Sequence, residues 1–194
     1  MAFTLGAPCE YREEIRKSRF LALAAPVASA AEAQAFIAAH SDPAASHNCW
    51  AWKVGAQYRF SDDGEPGGTA GRPILAAIEG QDCDQVAVLV IRWYGGIQLG
   101  TGGLARAYGG SAAKCLQAGE RRELVPRQAC HCHLQFAELA PFKARLGEFD
   151  ALLEHEAFDA SGARLELAVP AARLDALNRL LADLSRGREQ LRPL

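Results

Sequence analysis

The residues best suited to chemistry lie between Phe60 and Gly110, and the first of them form the run Ser61-Asp62-Asp63-Gly64-Glu65-Pro66-Gly67-Gly68-Thr69-Ala70-Gly71. Asp62, Asp63 and Glu65 in a tight glycine turn offer the oxygen ligands that magnesium or calcium takes, although the spacing is not that of an EF-hand loop. The same carboxylates suit a second role, in which they accept backbone N–H bonds and cap a helix beginning near Ala70. The second reading needs no metal and is the working expectation. The first, extended to His47 across a cleft between the glycine turns, gives a metal-dependent hydrolase as the alternative function.

Two glycine clusters could present backbone N–H groups to a phosphate at helix starts. One is Gly67-Gly68-Thr69-Ala70-Gly71, and the other is Gly100-Thr101-Gly102-Gly103; Arg72, Arg92 and Arg106 add charge. Neither contains the Gly-Lys-Ser/Thr of a P-loop, and no dinucleotide-binding glycine spacing follows the strand that ends near Gly95, so no nucleotide cofactor is expected. Glycine gives up side-chain packing and adds backbone entropy to be lost on folding. A backbone that bends sharply, or that something approaches closely, accounts for such a density.

Other candidates have plainer explanations. His47 and Cys49 share one face of a strand, as a Cys-His nucleophile would, but no third orienting residue is identifiable and a structural thiol suffices. In Cys130-His131-Cys132-His133, strand alternation sends cysteines and histidines to opposite faces, which does not suit a zinc site. Trp50, Trp52, Trp93 and Tyr94 could stack bases, with Arg16, Lys17, Arg19 and Arg59 meeting phosphates, or the aromatics could belong to the core.

The elements that position these groups read as follows. Ser18 to Ala25 is a strand stopped by Pro26, and Ser29 with Glu32 makes a capping box for a helix carrying Ala33, Phe36, Ile37 and His40 on one stripe. His47 to Val54 alternates as a strand, and Ala70 to Glu79 is a short helix. Gln85 to Tyr94 is nearly all apolar up to Arg92, which predicts a central strand covered on both faces. A helix from Thr101 to about Gly119 carries Leu104, Tyr108, Ser111, Ala112 and Cys115 inward, with Gly109-Gly110 allowing close approach to the sheet.

Glu120-Arg121-Arg122-Glu123 before Pro126 reads as an interdomain linker, giving domains at residues 1–122 and 128–194. The second domain follows the order βαββαβ: a strand at residues 128–136, a helix at 139–149, a hairpin of 152–158 with 164–169, a helix at 170–184 begun by Pro170, and a last strand at 187–191. That is the split βαβ arrangement of ferredoxin-like folds, so the fold class is α+β.

The motifs Phe60-Ser61-Asp62-Asp63-Gly64-Glu65-Pro66, Gly68-Thr69-Ala70-Gly71-Arg72-Pro73, Arg92-Trp93-Tyr94-Gly95-Gly96-Ile97 and Leu99-Gly100-Thr101-Gly102-Gly103-Leu104 closely resemble the YigZ/IMPACT family. Lys17-Ser18-Arg19-Phe20 and His47-Asn48-Cys49-Trp50-Ala51-Trp52 resemble its earlier motifs. Trp93 stands where the family usually has tyrosine, and Gln98 where it usually has lysine. The resemblance implies a βαβ-rich N-terminal domain similar to the ribosomal-protein and elongation factor G domain IV superfold, and a C-terminal domain similar to elongation factor G domain V. It also implies a non-enzymatic role in regulating translation, with the ribosome, RNA or a protein of the translation apparatus as partner. The expected binding surface is Asp62, Asp63, Glu65, Gly68, Thr69, Arg72, Arg92, Tyr94, Gly100, Thr101, Gly102 and Arg106.

Composition limits the alternatives. A net charge of -2 indicates no general polyanion binder, although a local basic patch remains compatible. The six cysteines are scattered among apolar segments and read as reduced, buried thiols. No N-terminal apolar segment or membrane-length window is present, so a cytoplasmic protein without membrane contact is expected.

Overall fold

Seven strands and three helices form residues 1–124. They are β1 (Ala2–Leu5), β2 (Cys9–Ile15), β3 (Ser18–Pro26), α1 (Ala30–His40), β4 (His47–Val54), β5 (Gln57–Ser61), α2 (Gly71–Gly80), β6 (Val86–Trp93), α3 (Gly100–Ala118) and β7 (Arg121–Leu124). β8 (Arg127–Gln135), α4 (Phe136–Arg145), β9 (Leu152–Phe158), β10 (Gly162–Pro170), α5 (Leu174–Ser185) and β11 (Arg192–Pro193) follow. The computed structural model describes every residue, and the chain divides into compact units at Met1–Leu124 and Val125–Leu194. The protein is a mixed α+β chain.

The apolar run after Gln85 is the centre of the first unit. β6 is the middle strand of a five-stranded sheet of order β2-β3-β6-β4-β5, antiparallel throughout. Strand alternation sends Val86, Val88 and Val90 into a core under α2 and α3 with Ile74, Ile78 and Tyr108, while Ala87, Leu89 and Ile91 face α1 with Ile37 and Trp52. Both faces are covered, so the strand carries no polar face before Arg92. Each fully buried aliphatic side chain contributes about 1.5–3 kcal/mol relative to exposure.

Several expectations change. β1, β2 and β5 carry weak apolar alternation; β2 and β5 are formed by pairing with the better-marked β3 and β4, and β1 pairs with β7. β2, for instance, is Cys-Glu-Tyr-Arg-Glu-Glu-Ile laid along β3 at the sheet edge. Residues 121–124 are not a linker but strand β7, paired antiparallel with β1, so that the two ends of the first unit close on each other. Gly109 lets α3 approach Pro73 of α2 rather than the sheet, and nothing lies near the added Cβ at Gly110. In α1, Ala33 and Ile37 are buried, whereas His40 is exposed and its ring meets the Phe36 carbonyl.

The second unit has the expected βαββαβ order, with its sheet arranged β11-β8-β10-β9. Cys130, Cys132, Leu134, Leu165, Leu167 and Leu177 fill the space between this sheet and its helices. Pro170 ends β10 rather than beginning a helix, and α5 starts at Leu174 after a single 3-10 turn. The last strand is the short pair Arg192–Pro193, later than residues 187–191.

Candidate functional site

The acidic turn occupies its own anion site. Asp62 Oδ1 accepts the N–H groups of Ala70 (3.1 Å) and Gly71 (2.8 Å), and Oδ2 accepts that of Gly68 (2.9 Å). Burial works to raise the Asp62 carboxyl, but the bonds from Gly68, Gly71 and Ala70 hold it below its ordinary value. Asp62 thus caps α2 from outside the helix, and the first glycine cluster has no free N–H cradle there for a phosphate. Gly71 is needed for this approach, since a Cβ would lie 2.8–2.9 Å from the Ser61 backbone.

Asp63 and Glu65 are also engaged. Asp63 Oδ2 accepts the Asn48 N–H at 2.6 Å, and the Asp63 carbonyl accepts a bond from His47 Nδ1 at 2.8 Å. With Nδ1 donating to a carbonyl, the 2.8 Å contact between His47 Nε2 and Glu65 Oε1 requires a proton between them. Arg92 Nη1 reaches both Glu65 oxygens at 2.9 Å, and its Nε and Nη2 donate to Ser18 Oγ at 3.3 Å. Glu65 and Arg92 are 8% and 5% exposed, so this is a buried ion pair with a histidine at its outer side.

The three carboxylates therefore do not converge, and no group of three or more His, Cys, Asp or Glu residues is placed to hold a metal ion. The arrangement lacks the donor cluster that the hydrolase alternative needs. Cys49 is no nucleophile either: burial first, with the charges of Glu65, Asp63 and Asp62 adding to it, outweighs the lowering influence of the nearby Tyr108 hydroxyl and pushes its thiol up to about 12. Its Sγ donates to the Asp62 carbonyl at 3.0 Å.

Glu65, Arg92, Tyr94, Gly100 and Thr101 come together with His47 on the walls of a cleft of about 550 Å³. Tyr94 is half exposed, its ring beside the Arg92 guanidinium at 5.4 Å. The other expected residues fall elsewhere. Thr69 is buried with its hydroxyl on the Pro66 carbonyl, and Arg72 lies over the Phe60 ring at 5.5 Å in a separate hollow with Gly68. Arg92, expected as a phosphate contact, is instead committed to Glu65 and Ser18.

The second glycine cluster is built differently from the first. α3 begins after Leu99 with no side chain capping it, and Gly100 has φ +74 with open space where a Cβ would stand. Arg106 folds back over Gly102, its Nη1 3.3 Å from where a Cβ would stand. Along the same helix, Arg106, Arg16 and Lys114 line a groove of about 260 Å³ in which Glu13 is the one acidic group. Glu13 accepts bonds from Lys114 (2.8 Å) and Ser111 (2.7 Å).

The remaining motifs are structural. Trp52 is buried against α1, with Trp50 and Trp93 packed at the margin of that cluster. Cys130 and Cys132 are buried on one face of β8, while His133 Nε2 meets Asp159 Oδ2 at 2.7 Å on the other. Lys114 went unrecognised in the sequence, although its eight-residue spacing from Arg106 on a helix places both on one face. The link from His47 to Glu65 had no such signal.

Residues 16–116 match the Impact N-terminal domain family, and residues 132–188 match a domain of unknown function, DUF1949. The chain belongs to the IMPACT family. It is 45% identical to the IMPACT family member in the pol 5'region of Thermus thermophilus, with 90% of this chain and 97% of that protein aligned. It is 39% identical to IMPACT family member YigZ of Escherichia coli (strain K12), over 96% and 94% of the two chains. A crystal structure described as that of a hypothetical protein superposes with a TM-score of 0.77 at 38% identity, covering 100% of this chain and 97% of the other.

In this IMPACT-family chain the motif segments, far apart in sequence, meet at one place. Apart from Ser46 and Gln98, every residue lining the 550 Å³ cleft belongs to the His47–Trp52, Phe60–Pro66, Arg92–Ile97 or Leu99–Leu104 motif. No helix is long and apolar enough to cross a membrane.

Proposed function

We propose that this IMPACT-family chain is a non-enzymatic, cytoplasmic binding protein of the translation apparatus, which contacts RNA through the start of α3 and the basic groove beside it. The observation that carries this reading is the contrast between the two glycine clusters. Asp62 fills the N–H groups at the start of α2, whereas the start of α3 is uncapped and exposed at Gly100, Thr101 and Gly102.

Backbone N–H groups at a helix N-terminus attract anions, and the macrodipole adds roughly half a positive charge. Arg106 laid over Gly102 places a cation on that positive end, an arrangement that a phosphate would relieve. Arg16 and Lys114 continue the positive track, and the half-exposed Tyr94 ring offers a stacking platform. The similarity to elongation factor G domains IV and V implied by the sequence motifs supports the same assignment for the two units. No complete catalytic set is assembled, so the reading assigns a process and not a reaction.

Ribosome cosedimentation combined with filter binding of single-stranded RNA across a salt series tests it. Binding should weaken with salt, the logarithmic slope being about -2 for three released counterions. Absence of both signals at low salt would remove the RNA reading, and capture of a protein partner insensitive to nuclease would replace it with an adaptor.

A further inference from the structure

Cys9 and Cys115 lie 106 residues apart in the chain, yet their sulfurs stand 3.8 Å from each other. Cys9 opens β2 at the edge of the five-stranded sheet, and Cys115 sits in the last turn of α3. The pair is held by crossed bonds: Cys9 Sγ donates to the Cys115 carbonyl at 3.4 Å, and Cys115 Sγ reaches the Cys9 carbonyl at 3.6 Å. Gly119 permits this packing, because a Cβ there would stand 2.8 Å from Cys9 Sγ.

The two thiols differ in the way an attacking and a resolving cysteine differ. Cys9 is the one partly exposed cysteine of the six, and the other five are buried. The hydrogen bond from Cys115 draws the Cys9 thiol below its ordinary pKa against the opposing effect of burial, while that same bond, followed by burial, holds Cys115 protonated. A reachable, thiolate-prone sulfur beside a second thiol is the arrangement in which oxidation becomes site-selective.

We propose that Cys9 and Cys115 form a reversible disulfide on exposure to peroxide, making this strand–helix junction an oxidation site. The Cys9 thiolate attacks one oxygen of hydrogen peroxide, the O–O bond breaks and hydroxide leaves, giving Cys9 sulfenic acid. Cys115 Sγ then attacks the Cys9 sulfur, the S–S bond forms, and the sulfenic oxygen departs with the Cys115 proton as water. Two thiols and one peroxide yield one disulfide and two waters, a two-electron oxidation of the protein. Closing the bond draws the sulfurs from 3.8 Å to about 2.05 Å, a movement within reach of side-chain rotation and a small shift of the edge strand.

The experiment treats the folded full-length chain with hydrogen peroxide, blocks remaining thiols with N-ethylmaleimide, and maps the digest by mass spectrometry. The expected product is a peptide pair joining Cys9 to Cys115, about 2 Da lighter than the sum of its thiols and separated by dithiothreitol. Cys115→Ser should instead leave Cys9 sulfenic acid that dimedone traps. Four free buried thiols with Cys9 and Cys115 also unlinked, a bond from Cys9 to Cys83, or a Cys9–Cys9 dimer would each overturn the proposal. The wild-type digest decides without any variant, so a poorly folding substitution does not blunt the test.

Discussion

The backbone carbonyl of Lys17 occupies the space into which a Cβ at Gly95 would project. Lys17 and Arg16 form the two-residue tip of the β2–β3 hairpin, both with positive φ (64° and 46°), and Gly95 follows the end of β6. This close approach, with the Arg19–Trp93 pairing of β3 and β6 next to it, seats the basic hairpin tip beside the second glycine cluster. Gly95→Ala must displace the tip, and the expected loss is about 3 kcal/mol in urea denaturation, at the upper end of overpacking effects. Gly110→Ala is the control: with nothing near its Cβ, it should stabilise α3 by about 0.5–1 kcal/mol.

Glu65 and Arg92 test the buried pair. Glu65→Gln leaves the Arg92 guanidinium buried with its charge uncompensated, and should lower unfolding free energy by about 3–5 kcal/mol. Replacing both with apolar residues of similar size should recover much of that loss. A double-mutant cycle by chemical denaturation that gave purely additive effects would contradict the pairing.

Asp62 makes stability depend on pH in a definite sense. Its folded pKa lies below the unfolded one, so its contribution is complete above the ordinary carboxylate value and is lost as pH falls through the lowered value. Asp62→Asn should therefore lose about 1–2 kcal/mol at neutral pH, the scale of a lost helix cap. The gap between variant and wild type should close in acid, as thermal melts from pH 7 down to pH 2 would show.

Tyr108 carries a hydroxyl without a partner. Its ring meets Phe20 edge-on at 5.4 Å, and burial, then Cys49 and Glu65, raise the phenol pKa above its ordinary value, yet neither neighbour lies in hydrogen-bond geometry. Removing an unpaired buried hydroxyl while keeping the ring should be neutral or stabilising by up to about 1 kcal/mol. A clear drop in the melting temperature of Tyr108→Phe would reveal a bond that the distances do not show.

The RNA reading predicts a charge-specific loss. Arg106→Ala and Arg16→Gln should each weaken RNA binding evenly across sequences and reduce the logarithmic salt slope by about 0.7, one single-strand phosphate contact. Arg72→Ala, whose guanidinium lies over Phe60 in a separate hollow, should leave the slope unchanged.

Local pattern was enough for the elements that bury a continuous or alternating face: β3, β4, β6, α3 and the βαββαβ order of residues 125–194 all follow from spacing along the chain. It was not enough for β2 and β7, where charged residues dominate and the strand exists because a neighbour offers hydrogen bonds. The candidate site divides the same way. That Asp62 would serve the start of a nearby helix was legible, since both lie within ten residues. That Glu65 would be claimed by Arg92, 27 residues on, and by His47 was not.

The sequence by itself determined the family, the α+β class and the presence of two glycine clusters near helix starts, because these depend on residue type and short spacing. Only the tertiary structure decided which cluster stays open. Asp62 reaches the start of α2, while the start of α3 receives Arg106 and stands beside a groove that Arg16 enters from the β2–β3 turn. Side chains distant in sequence set that difference, and hydrogen-bond geometry and burial exist only once the chain has closed on itself.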